Sequence, residues 1–175
     1  MGNKVKHILI ILSLFLFSFI IISCAKKSSD DSKTTTDNTT TTTSSVSFVA
    51  VGNSGTILTS SDNGTTWTSR TSGTTNNLRR VTYGNRLFVT GGGSGTLLTS
   101  TDGTSWTART SGTTNILYGV TYGNSIFVIG GTSGTILTSS DGTTWTARTS
   151  GTSKYILGLT YGNGLFVSVG ESGTI

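Results

Sequence analysis

The 175-residue chain has no proline, one cysteine, one histidine and one methionine. A single cysteine excludes an intramolecular disulfide framework, so any fold must be held by packing and backbone hydrogen bonds. The lone histidine is His7, in the basic stretch that opens the chain. Metal sites built on clustered His and Cys are therefore out of reach, and so is His-based proton transfer. Charge is also sparse, at 11% of residues. The formal net charge is +5, but Lys4 and Lys6 supply part of it and the remaining basic residues are scattered. That balance argues against nucleic acid as a partner. Beyond residue 23 no apolar run has helical length, and Gly and Thr are too frequent for long helices.

The apolar residues are concentrated at the start. After a basic opening, Ile8 to Ile22 is apolar except for Ser13 and Ser18. At about 1.5 Å per residue, a helix of that run would span about 22 Å, short of a hydrocarbon core of about 30 Å. The pattern is that of a secretory signal rather than a stable transmembrane helix. Myristoylation at Gly2 is excluded, because Lys6 occupies the position that needs Ser or Thr. The run closes on Ile21-Ile22-Ser23-Cys24. This closing segment resembles the lipobox of bacterial lipoproteins, although Leu is more usual at the place of Ile21. The resemblance implies that residues 1–23 are removed and that Cys24 is lipidated. It also implies export and anchoring to a bacterial membrane, at the outer membrane or the cell surface. A plain signal peptide or an uncleaved anchor with an incidental cysteine is the other reading.

Residues 24–45 read as the lipidated cysteine followed by a flexible linker. Of the 21 residues from Ala25 to Ser45, 13 are Ser or Thr, and none is aromatic or a large aliphatic. Such a segment cannot bury enough surface to offset the entropy of ordering it. As a coil it reaches roughly 25 Å, enough to lift a folded module from a membrane.

From Val46 onward everything repeats. Trp67, Trp106 and Trp145 stand 39 residues apart, and Phe48-Val49, Phe88-Val89, Phe127-Val128 and Phe166-Val167 recur at 40, 39 and 39. Ser-Gly-Thr recurs at Gly55, Gly95, Gly134 and Gly173, and Tyr-Gly-Asn at Tyr83, Tyr122 and Tyr161. Within one unit, four short runs read as strands: Leu117 to Tyr122, Ile126 to Ile129, Thr135 to Ser139 and Thr144 to Arg148. They are rich in Thr, β-branched and aromatic residues, and Gly-Asn, Gly-rich and Asp-Gly turns separate them. Four strands in about 40 residues predict the blade of a β-propeller. The expected fold is therefore all-β over residues 46–175, with about three and a half blades and an open edge. Either the reading frame continues beyond Ile175, or two copies close one ring by self-association through that edge.

Residues Ser60 to Trp67 read SSDNGTTW and match the Asp-box pattern S-x-D-x-G-x-T-W; the runs ending at Trp106 and Trp145 are one residue shorter between Asp and Gly. The region resembles Asp-box (BNR-like) β-propellers, above all the assembly-factor type first known from photosystem II, and also sialidase-like propellers. The box residues Asp62, Gly64, Trp67, Asp102, Gly103, Trp106, Asp141, Gly142 and Trp145 are then structural. Asp accepts turn N–H groups, Gly supplies a positive φ, and Trp packs between sheets.

The repeat also isolates its exceptions. Of twelve aromatics in the repeat region, only Tyr118 and Tyr155 are out of register. Arg79, Arg80, Arg86, Lys154 and Glu171 are the out-of-register charges. Such positions are either solvated surface or ligand-reading residues. Arg79, Tyr118 and Tyr155 fall in the connections between blades and Glu171 in that between second and third strands, and these connections share one face of a propeller; the Tyr-Gly-Asn turns and the boxes share the other. Loops on a rigid scaffold are where binding residues concentrate. Arg79, Arg80, Tyr118, Lys154, Tyr155 and Glu171 are accordingly the candidate binding face for a protein or glycan partner.

Catalysis finds little support. Beyond the linker the carboxylates are Asp62, Asp102, Asp141 and Glu171, and three of those belong to the boxes. A glycosidase normally sets two carboxylates about the bond. No metal or cofactor is expected. The reading is a non-catalytic binding or scaffolding propeller on an envelope lipoprotein. The alternatives are a truncated sialidase-like hydrolase and a membrane-complex assembly factor.

Overall fold

The structure is a computed structural model that describes residues 21–27 and 48–175. Residues 1–20 and 28–47, which hold most of the expected signal and linker, lie outside the described residues. Among the described residues, no helix is long and apolar enough to cross a membrane.

Three four-stranded antiparallel sheets and one two-stranded sheet follow one another along the chain. The first runs β1 (Ile21–Lys26), β2 (Phe48–Gly52), β3 (Ile57–Ser60) and β4 (Thr68–Arg70). The second holds β5 (Leu78–Gly84), β6 (Leu87–Gly92), β7 (Leu97–Ser100) and β8 (Thr107–Ala108). The third holds β9 (Leu117–Gly123), β10 (Ile126–Gly131), β11 (Ile136–Ser139) and β12 (Thr146–Arg148). The fourth holds β13 (Ile156–Gly162) and β14 (Leu165–Gly170). Each sheet pairs in chain order, so each is an up-and-down blade. The innermost strands β1, β5, β9 and β13 are successive neighbours. This is the β-propeller that the 39-residue period predicts, with an incomplete set of blades.

Two features differ from expectation. Residues 24–26 were expected in a flexible linker, yet Ile21–Lys26 forms the innermost strand of the first blade, with Cys24 opposite Ala50 and Lys26 opposite Phe48. The repeat begins at a second strand, Phe48, so the first sheet has an open inner edge that an unpaired backbone segment can satisfy. The second difference is the turn after each second strand. Asn53–Gly55, Gly93–Gly95, Thr132–Gly134 and Glu171–Gly173 are single 3-10 turns in which Ser54, Ser94, Ser133 and Ser172 adopt positive φ. The glycine that follows serves a close approach: a Cβ on Gly55 would fall 1.9 Å from the Thr74 carbonyl oxygen, and its own φ is +70. No L side chain fits both conditions.

The core lies between blades. Strand side chains alternate, so one face of a blade meets the blade before it and the other the blade after it. At the first junction Val49, Val51 and Ile57 pack on Leu78, Val81, Phe88 and Leu98. At the second, Val89 and Leu97 pack on Leu117, Val120, Phe127, Ile129 and Leu137. At the third, Val128 and the partly buried Ile136 meet Ile156, Leu159 and Phe166. Phe88 and Phe127 are fully buried, and burying each contributes about 1.5–3 kcal/mol.

Candidate functional site

The three Ser-Asp-Gly turns are built alike. In the first, Asp62 Oδ1 accepts from the Thr66 backbone N–H at 2.9 Å, and the Ser60 hydroxyl donates to the same oxygen at 2.7 Å. Trp67 Nε1 donates to the Gly64 carbonyl at 3.0 Å and closes the turn. Asp102 with Trp106, and Asp141 with Trp145, repeat the pattern. Trp106 and Trp145 also lie 6.4 Å from Phe88 and Phe127, centroid to centroid. Each carboxylate is stabilised as the anion. The Thr66 hydroxyl, the Thr66 N–H and the Ser60 hydroxyl pull Asp62 down to about 2. Thr143 and the Thr144 N–H lower Asp141 in the same way. For Asp102 partial burial opposes the shift, but bonds from Thr104, Ser105 and Ser100 outweigh it. These acids are occupied inside their own turns, which leaves Glu171 as the remaining carboxylate among the described residues.

Arg79, Arg80, Tyr118, Lys154 and Tyr155 fall around the start of the innermost strands, whereas Arg86 lies in the turn between β5 and β6 and Glu171 follows β14. A register shift in β5, β9 and β13 leaves Arg79, Tyr118 and Leu157 as extra residues in the ladder. Bulges of this kind re-aim a side chain. The Arg79 guanidinium lies 5.7 Å from the centroid of the Tyr118 ring, and Tyr118 lies 6.4 Å from Tyr155. Arg79, Tyr118 and Tyr155 therefore form one continuous row across three blades. Arg79 Nε is shielded from solvent and has no hydrogen-bond partner among the described residues. Glu171 sits across from the end of the row, its backbone N–H donating to the Tyr155 carbonyl at 2.9 Å.

Arg80 and Lys154 are exposed, and no hydrogen bond or ring contact joins their side chains to the row among the described residues. Lys154 has a different explanation. It occupies the position of Asn76 and Asn115, whose side-chain amides clamp Thr96 and Thr135 at 2.8 Å. The lysine lacks that clamp. Asn77, equivalent to Tyr155, is likewise structural, because its side-chain oxygen accepts from the Ser54 N–H at 2.9 Å. Sequence reasoning missed these clamps; the recurrence of Asn at one register position was the available signal. Two concave regions among the described residues lie along outer strands, one lined by Ser69 to Thr75 and one that includes Trp106 and Arg109. Arg79 and Tyr118 are half-buried in the row and Tyr155 is exposed.

No family model matches the chain, and no curated protein does. Solved structures do. The computationally designed Ika4 protein superposes with a TM-score of 0.66 at 15% identity, covering 90% of this chain and 89% of that one. YCF48 bound to D1 peptide gives 0.65 at 17% identity, and YCF48 from Cyanidioschyzon merolae 0.63 at 18%. Each covers 88% of this chain, which spans about half of each YCF48 chain, 49% and 51%. At these identities the likeness establishes the fold, a β-propeller, and nothing finer.

Proposed function

We propose that this chain is a non-catalytic, peptide-binding propeller, held at a bacterial membrane through Cys24. The observation that carries the reading is the Arg79–Tyr118–Tyr155 row, in which a guanidinium and two rings follow one another across three blades. Two rings offer stacking surface to an extended chain, and a guanidinium donor offers a charge-assisted bond to a carboxylate. The YCF48 structure with its D1 peptide supports a peptide over a glycan, since it shows a peptide on a propeller of related shape. The occupied aspartates favour binding over hydrolysis, and the Ser-Asp-Gly turns act as structural Asp boxes. The lipid anchor rests on the Ile21-Ile22-Ser23-Cys24 run alone.

The test is binding of a library of extended peptides, each with a free or an amidated C-terminus, to the full chain. Free carboxylates should bind better. The combined Arg79→Ala, Tyr118→Ala and Tyr155→Ala variant should weaken that binding at least about tenfold, the scale of one charged hydrogen bond. Arg80→Ala should leave it unchanged. Binding indifferent to the triple variant refutes the reading.

A further inference from the structure

We infer that the cleft between successive blades, at their outer strands, binds an acidic sugar, the Trp106 indole stacking on the pyranose ring and Arg109 pairing with its carboxylate. At the junction of the first and second blades this cleft has a volume of about 340 Å³, within the range of about 300–1,000 Å³ usual for small-molecule sites. Ser72 and Thr74 of the connector between the blades line it, together with Thr96, Trp106 and Arg109 of the second blade. The site shares no residue with the Arg79–Tyr118–Tyr155 row, and the inference does not rest on the peptide-binding proposal.

Small residues hollow the cleft, and hydrogen bonds set its walls. Gly73, at φ +74, has open space where a Cβ would stand, and Ala108 is the small lining residue two places beyond the indole. Asn76 Nδ2 donates to Thr96 Oγ1 at 2.8 Å, which ties the connector to the second blade. The Ser72 hydroxyl donates to the Thr74 carbonyl at 3.1 Å. Trp106 Nε1 is committed to the Gly103 carbonyl at 3.0 Å, so the indole offers a ring rather than a donor. Arg109 Nε donates to Thr99 Oγ1 at 2.9 Å. That bond anchors the guanidinium by its inner nitrogen and spares the terminal Nη pair. Walls fixed in this way reduce the ordering cost of binding.

The lining selects the ligand. Trp106 is half-buried in the cleft, and a pyranose sets a face of C–H bonds against an aromatic ring whose own face is negative. The hydroxyls of Ser72, Thr74 and Thr96 can each donate and accept at the rim of the sugar. Arg109 is the one charged residue that lines the cleft, and a guanidinium fork matches a carboxylate with two parallel bonds. A neutral sugar offers that fork only hydroxyls, whereas a hexuronic acid offers a carboxylate. The next junction repeats the design: Ser111, Thr113, Thr135, Trp145 and Arg148 stand 39 residues beyond their counterparts. Asn115 Nδ2 donates to Thr135 Oγ1 at 2.8 Å, and Arg148 Nε to Thr138 Oγ1 at 2.9 Å. Both clefts lie at junctions among the first three blades, each bounded on both sides by described residues.

The experiment is calorimetric titration of the full chain in mild detergent with digalacturonate. Maltose is the neutral sugar control, and a diglutamate peptide is the acidic control without a pyranose ring. Digalacturonate should occupy two sites per chain and bind at least about tenfold more tightly than maltose, the scale of one charged hydrogen bond. Arg109→Gln should remove one site and Arg148→Gln the other; glutamine keeps an N–H for the threonine at each position, and far-ultraviolet circular dichroism checks the fold. Tryptophan emission of the unaltered chain gives a second readout that needs no variant, and it should shift as the sites fill. The combined Arg79→Ala, Tyr118→Ala and Tyr155→Ala variant should bind the sugar as the wild type does, which separates this inference from the peptide-binding proposal. No binding of digalacturonate, equal binding of maltose or of diglutamate, emission unmoved at saturation, or a titration indifferent to the two arginine variants together overturns the inference.

Discussion

Alanine at Gly84 and alanine at Gly162 should have opposite effects, although both glycines close the same Tyr-Gly-Asn motif. A Cβ on Gly84 would lie 2.1 Å from Tyr122 Cγ, and one on Gly123 would lie 2.1 Å from Tyr161 Cγ. Around Gly162 nothing lies within 4 Å among the described residues. None of the three has a positive φ, so the backbone adds no penalty. At Gly84 the tyrosine ring must leave a site where it is braced by Phe127, 4.6 Å away centroid to centroid. Overpacking costs about 1–3 kcal/mol, and a weakened ring pair about 0.5–1.5 kcal/mol. Gly84→Ala should therefore destabilise by about 2–4 kcal/mol, a fall in Tm of roughly 5–15 °C for a domain of this size. Gly162→Ala should be neutral or stabilising by up to about 1 kcal/mol, because alanine restricts only the unfolded chain. Urea and thermal unfolding, followed by tryptophan fluorescence and far-ultraviolet circular dichroism, measure both variants. Equal destabilisation at Gly84 and Gly162 would refute the seat-for-a-ring explanation.

Three further outcomes follow from the same geometry. Lys154→Asn should restore the missing clamp to Thr174 and stabilise by about 0.5–1.5 kcal/mol in the same unfolding assay; no gain would mean that Thr174 cannot serve as Thr96 and Thr135 do. The three turn aspartates are held below the usual carboxylate range, Asp62 at about 2. The unfolded chain therefore takes up protons first as pH falls below about 4, and the stability these turns contribute, complete above that point, is lost toward pH 2 and below. Replacing all three with Asn should flatten the fall of Tm over that window, and an unchanged slope would detach the turns from acid unfolding. Intact mass of the chain made in a bacterial host should show residues 1–23 lost and lipid gained, with Cys24→Ser abolishing both; a full-length, unlipidated wild type would remove the anchor.

The period was legible because every blade repeats the same packing problem. Phe88 and Phe127 fill equivalent sites, so they recur, and the recurrence exposes blade number and strand order without coordinates. The same logic isolated Arg79, Tyr118 and Tyr155, which the fold then brings into one row. It could not separate them from Lys154, because an absent clamp and an acquired contact look alike in a sequence: each is only a departure from register. Strand β1 was illegible for a related reason. Its residues Ile21 to Lys26 carry no repeat signature, yet they satisfy the open inner edge of β2 through backbone pairing, which constrains side chains weakly. Ile21-Ile22-Ser23 therefore suits two roles, the end of a signal and the start of a strand. One polypeptide cannot keep both, since cleavage before Cys24 leaves only three residues of β1. Processing would thus reopen the inner edge of the first blade.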